Sequence, residues 1–116
     1  MPQVIIALGS NTRQEAHIQW ASERLAHVLD NIRLSRKIWT PDIHGTGKMY
    51  LNRLLLGNTN LSIEALEGTL KLIEAETGRN RQQVTIDLDL MQYDAQKFHL
   101  NDWPRPYIQN LLPDIL

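Results

Sequence analysis

The chain has no cysteine among its 116 residues. That excludes disulfides, thiolate zinc sites and a cysteine nucleophile, and it agrees with a cytoplasmic protein. Charge of one sign is also lacking. Twelve basic residues against 13 acidic ones leave a net charge of −1, so neither nucleic acid nor an anionic membrane is an expected partner. No apolar stretch approaches the roughly 20 residues of a membrane span. The first apolar run, Val4 to Leu8, follows no basic segment and is too short for a signal peptide. Aromatics make up only 6%, and the third expected strand lacks those that an RNA-recognition sheet would display. Repeats and low-complexity segments are absent. What is there is an ordinary soluble composition, 42% hydrophobic and 22% charged. The length suits a single domain over residues 1–116 with a real core. Oligomeric state leaves no trace in the sequence.

Hydrophobic spacing orders the elements. Val4 to Leu8 is a continuous apolar run ended by Gly9-Ser10-Asn11, and reads as a central strand. Ser10, Asn11 or Thr12 is placed to cap a helix from about Thr12 to Leu29, whose stripe is Ile18, Ala21, Leu25, Val28 and Leu29. Ile32, Leu34, Arg36 and Ile38 alternate with Arg33, Ser35, Lys37 and Trp39 in a second strand, which Thr40-Pro41 ends. A loop over Asp42 to Lys48 leads to a third strand, Met49 to Gly57, with Tyr50, Asn52, Leu54 and Leu56 on one face. Ser62 caps a second helix with the stripe Ile63, Leu66, Leu70 and Ile73, and Gly78 closes it. Val84 to Met91 is a fourth strand, Lys97 to Leu100 a brief further one, and Pro104, Pro106 and Pro113 predict an irregular tail. The order predicts an α+β, ferredoxin-like β-α-β-β-α-β fold, an antiparallel sheet with two helices on one face.

The fourth strand carries the chemistry. Val84, Ile86, Leu88 and Leu90 share one face, so Asp87 and Asp89 project together from the other, roughly 6.8 Å apart along the chain. Two carboxylates this close repel each other. Either both are solvated on an exposed face, or a divalent cation holds them. Just ahead lies Gly78-Arg79-Asn80-Arg81, whose arginines either complement the helix end or grip phosphates while the carboxylates hold magnesium. Tyr50 and Asn52 point the same way from one strand, as stacking on a flat heterocycle requires or as a core edge allows. Gly45-Thr46-Gly47-Lys48 is not a P-loop, because it lacks the earlier glycine and precedes a strand. His17, His27, His44 and His99 have no metal-ligand spacing and read as surface or packing residues.

Taken together and in order, several motifs resemble the 6-hydroxymethyl-7,8-dihydropterin pyrophosphokinase family of folate synthesis. They are Ala7-Leu8-Gly9-Ser10-Asn11, Thr40-Pro41, Tyr50-Leu51-Asn52, Ile73-Glu74, Gly78-Arg79-Asn80-Arg81 and Ile86-Asp87-Leu88-Asp89-Leu90. The resemblance implies a ferredoxin-like core and transfer of the β,γ-diphosphate of ATP to the pterin hydroxymethyl group, with release of AMP. It implies that Asp87 and Asp89 coordinate two Mg2+ ions. Arg79 and Arg81 would lie near the nucleotide, and Glu74 on the helix bordering the ATP pocket. Thr40, Pro41 and Ile43 would contact the pterin, Asn52 would hydrogen-bond to it and Tyr50 would stack on it. Two metals and arginines suffice for such chemistry, which needs positioning and charge neutralisation more than a covalent catalyst.

The chain departs from the family at three places. Only Gln82 and Gln83 separate Arg81 from Val84, where the family has a longer basic and aromatic loop over ATP. Val84 stands where an arginine is expected. The family's Pro-His element reads as Trp103-Pro104-Arg105-Pro106, so its histidine looks absent, with Arg105 as a replacement phosphate contact and Tyr107 as a stacking partner. The alternative expectation is therefore a catalytically silent member that binds a pterin, a nucleotide or a protein partner.

Overall fold

Val4, Ile6 and Leu8 point to one side of strand β1 (Gln3–Ser10) and Ile5 to the other, and all four are buried. A strand apolar on both faces belongs in the middle of a sheet. The computed structural model, which describes residues 1–80 and 83–116, has β1 antiparallel to β4 (Met49–Asn58) on one side and to β5 (Asp87–Tyr93) on the other. Beyond β4 run β2 (Asp30–Leu34) and β3 (Ile38–Pro41), and β5 continues into a short hairpin with β6 (Gln96–Lys97). Helices α1 (Gln14–Ala26) and α2 (Ile63–Glu76) lie on one face, which makes the core the ferredoxin-like β-α-β-β-α-β arrangement. No helix among the described residues is long and apolar enough to cross a membrane.

The helical stripes meet as their spacing predicts. Ile18, Ala21 and Leu25 of α1 and Leu66, Leu70 and Ile73 of α2 pack on Val4, Ile6, Leu8, Leu51, Leu55, Leu88 and Leu90. Each such aliphatic side chain contributes about 1.5–3 kcal/mol by leaving water. Ser62 caps α2 with its Oγ accepting from the Ala65 N–H at 3.1 Å. Gly78 follows the α2 end at φ +72°, the left-handed turn that glycine adopts without strain.

Four local expectations need correction. Helix α1 is shorter than Thr12 to Leu29, and its N-cap is Arg13 at φ 44° with no side-chain cap. Ser10 Oγ instead donates to the Thr12 carbonyl, and Asn11 Oδ1 accepts from the Val84 N–H. The same tie shortens β5, since β1 ends at Ser10 and leaves Val84 facing a loop; pairing starts at Gly9 with Asp87. The second strand is two, β2 and β3, because Ser35 turns inward between them. Its Oγ accepts the Leu54 N–H at 2.8 Å while its own N–H donates to the Leu54 carbonyl. That shifts the register, so Leu34 is exposed and Ser35 is buried, the reverse of simple alternation.

The largest correction concerns the tail. Pro106–Ile115 is not irregular but forms α3. Pro106 sits in the first turn, where its missing N–H has no intrahelical partner to lose, and Pro113 lies in the last turn, where one ladder bond is forfeited. Ile108, Leu111 and Ile115 are buried against Ile5, Leu54 and Met91. The sheet therefore has a second core on the face away from α1 and α2.

Candidate active site

The α3 face of the sheet is filled at one end and hollow at the other, and side-chain size explains the difference. Along β1, Ile5 contributes to the second core, whereas Ala7 and Gly9 on the same face leave a gap. Gly9 pairs with Asn52 on one side and with Asp87 on the other; Ala7 pairs with Leu54 and Asp89. The row Asn52–Gly9–Asp87 thus spans two strand spacings, about 10 Å. A Cβ at residue 9 would lie 3.6 Å from Asn52 Oδ1 and 3.7 Å from a Tyr50 ring carbon, so it would intrude on this space. The resulting cleft has a volume of about 210 Å³ and its lining includes Tyr50, Asn52, Asp87 and Asp89.

Asp87 and Asp89 stand side by side on this face, each about one-third exposed. Burial, and then the negative charge of Asp87, push the Asp89 carboxyl up to about 6, although His99 opposes the shift. A carboxylate pair strained in this way fits a divalent cation, whose charge would favour the ionised form of both. Among the described residues no group of three or more His, Asp or Glu side chains is arranged to hold a metal unaided. Mg2+ is suited to that donor set, since it commonly takes one or two carboxylates and completes its shell with phosphate oxygens and water.

Arg79 and Glu74 join this pair from the end of α2. The left-handed Gly78 lets the chain double back, and Arg79 Nη1 donates to Asp87 Oδ1 at 3.0 Å and to Glu74 Oε2 at 2.9 Å. Glu74 does not line the cleft. It is 4% exposed, and its Oε2 also accepts the N–H of Leu88, the residue between the two aspartates, at 2.7 Å. Lys71 Nζ reaches its other oxygen at 3.3 Å. Arg81 lies outside the described residues.

The opposite wall comes from β3 and the loop after it. Thr40, Pro41 and Ile43 line the cleft, together with Asp42 and with His44, which the sequence suggests is a surface or packing residue. The Thr46 hydroxyl and the His44 N–H hold the Asp42 carboxyl below its ordinary value. Asn52 Nδ2 donates to Thr40 Oγ1 at 2.8 Å and to the Ile38 carbonyl at 3.1 Å, so its Oδ1 is the atom turned toward Gly9 and the cleft. Burial raises the Tyr50 phenol, which stays a neutral ring.

The third wall is set by α3. Arg105, at its N-cap, lines the cleft with Nε paired to Asp102 Oδ1 at 2.8 Å, and Tyr107 follows with a phenol raised by burial. The hairpin after β5 brings His99 Nε2 to 3.9 Å from Asp89 Oδ1, a contact that histidine spacing in the sequence does not reveal.

Two comparisons bear on this arrangement. The model of the 7,8-dihydro-6-hydroxymethylpterin-pyrophosphokinase family matches residues 5–114. A folate synthesis bifunctional protein of Arabidopsis thaliana is 30% identical over 130 residues, an alignment that takes in 98% of this chain. The chain spans 27% of that relative's length.

Proposed function

Because the chain belongs to the 7,8-dihydro-6-hydroxymethylpterin-pyrophosphokinase family, we propose that its cleft transfers diphosphate from ATP to 6-hydroxymethyl-7,8-dihydropterin. The reaction is Mg2+-dependent and releases AMP, and the chain acts as one pyrophosphokinase domain in folate synthesis. One observation carries the reading: a heterocycle-sized gap over Gly9 separates Tyr50 and Asn52 from Asp87 and Asp89.

In this reading the pterin lies over Gly9. Tyr50 and Tyr107 supply aromatic surfaces, Asn52 Oδ1 accepts from the ring N–H groups, and Thr40, Pro41 and Ile43 close the outer side. The hydroxymethyl group then points along the row toward Asp87 and Asp89. Its oxygen bonds to the β-phosphorus and gives up its proton to solvent, while the bond from that phosphorus to the AMP oxygen breaks and the electron pair leaves with AMP. Bound Mg2+ supplies neutralisation of the phosphate charge, and Asp87 and Asp89 are the residues that would hold it, as two ions by resemblance to the family. Arg79 and Arg105 flank that position and are the groups for the triphosphate, with Arg81 following Arg79 in the chain. His99, beside Asp89, is a further donor within the same region. Glu74 serves the nucleotide side through Arg79.

The test is direct. Incubation with ATP, Mg2+ and the pterin should yield AMP, measured by chromatography, and Asp87→Ala should abolish it. Absence of AMP above that control would sink the enzymatic reading and leave pterin binding, measured by calorimetry, as the surviving role.

A further inference from the structure

Arg79 has two carboxylate partners, and they differ in how firmly they are held. Glu74 is 4% exposed and is fixed from below by the Leu88 N–H at 2.7 Å. Asp87 is about one-third exposed and opens onto the cleft. A single nitrogen, Nη1, serves both, at 2.9 Å and 3.0 Å. The guanidinium is therefore tethered on its buried side and exchangeable on its open side.

A divalent ion on Asp87 would sit about 2.0–2.1 Å from a carboxylate oxygen. At that distance it shares the neighbourhood of Oδ1 with a full positive charge, and two cations on one carboxylate oppose each other. We propose that Arg79 is a built-in cation for the aspartate pair, holding Asp87 in the unliganded protein and leaving it when a divalent ion arrives. The Glu74 tether keeps the displaced guanidinium beside the site, where the phosphates of the nucleotide become its next anionic partner. The inference rests on the divalent-ion reading above and adds to it a direction. Arg79 opposes metal binding alone and favours nucleotide binding once metal is present.

Opposite signs from one substitution are the signature. MgCl2 is titrated calorimetrically, without nucleotide, into the wild-type chain and into Arg79→Gln, Arg79→Lys and Asp87→Asn. Arg79→Gln should bind Mg2+ roughly tenfold more tightly than wild type, and Arg79→Lys, which keeps the charge, should stay within about threefold of it. At saturating Mg2+, a non-hydrolysable ATP analogue should bind Arg79→Gln roughly tenfold more weakly. Arg79→Met is the second neutral variant if Arg79→Gln does not fold, as judged by its melting curve. Unchanged or weaker Mg2+ binding in the folded neutral variant overturns the inference while leaving the metal site standing. No Mg2+ binding by wild type, indistinguishable from Asp87→Asn, overturns both.

Discussion

Asp89→Asn tests the electrostatic strain at the site without touching its shape. Asp89 is raised from 3.8 to about 6, first by burial and then by the charge of Asp87. A folded-state value above the unfolded one means that the folded chain binds the proton more tightly. Stability from this source is fully present below pH ~3.8 and is lost as the pH rises through about 6. The gap is about 2 pH units, which at 1.36 kcal/mol each is about 3 kcal/mol. Asp89 is 31% exposed, and solvent screening brings the recoverable part to about 1–2 kcal/mol. For a domain of this size about 4 °C accompanies each kcal/mol. In EDTA at pH 8, Asp89→Asn should therefore melt about 4–8 °C above wild type. At pH 3.5, where Asp89 is protonated in the folded chain and largely so in the unfolded one, the gain should shrink below about 2 °C. Millimolar Mg2+ should raise the wild-type melting temperature at pH 8 and leave Asp89→Asn nearly unchanged. A variant that melts at or below wild type at pH 8, or that gains equally at both pH values, would refute the reasoning.

Three further substitutions probe what supports the site. Glu74→Ala strips the partner from the buried Leu88 N–H and one of two from Arg79, so it should cost about 3 kcal/mol in urea unfolding. Leu111→Ala, at a fully buried position of α3, should cost about 2–5 kcal/mol by the same measurement. Gly78→Ala meets no atom within 4 Å, so only the left-handed backbone resists it, and its melting temperature should fall by about 4 °C for about 1 kcal/mol.

Wherever one rule governed a segment, the sequence was enough to read it. The α2 stripe of Leu66, Leu70 and Ile73 and the Ser62 cap are local signals, and nothing distant overrides them. Asp87 and Asp89 share a face because strand geometry demands it, and of the family motifs Gly9, Thr40, Pro41, Tyr50, Asn52, Asp87 and Asp89 line the cleft, whereas Glu74 and Arg79 do not. The misreadings occur where a side chain takes over a backbone duty. Ser35 replaces a ladder partner with its hydroxyl, and Asn11 ties down Val84; neither leaves a periodic mark. Proline misled in the tail because its usual meaning is interruption, whereas a first-turn position is compatible with a helix. With α3 unseen, the wall carrying Tyr107 had no anchor, and histidine spacing gave no sign of the hairpin that folds His99 back toward Asp89. Glu74 looked like a rim residue because only the folded chain shows that its carboxylate is spent on Leu88 and Arg79.

The second core has a consequence for how the molecule comes apart. Asp87 and Asp89 stand on β5 beside the central strand, the part that opens last in such a sheet, whereas Tyr107 and Arg105 depend on one terminal helix. Partial opening that releases α3 would dismantle the aromatic wall and leave the carboxylates in register. Under mild denaturant the amides of α3 should exchange with solvent well before those of β1. Under the proposed function, the chain across that interval would still hold a divalent ion after it had stopped recognising a heterocycle.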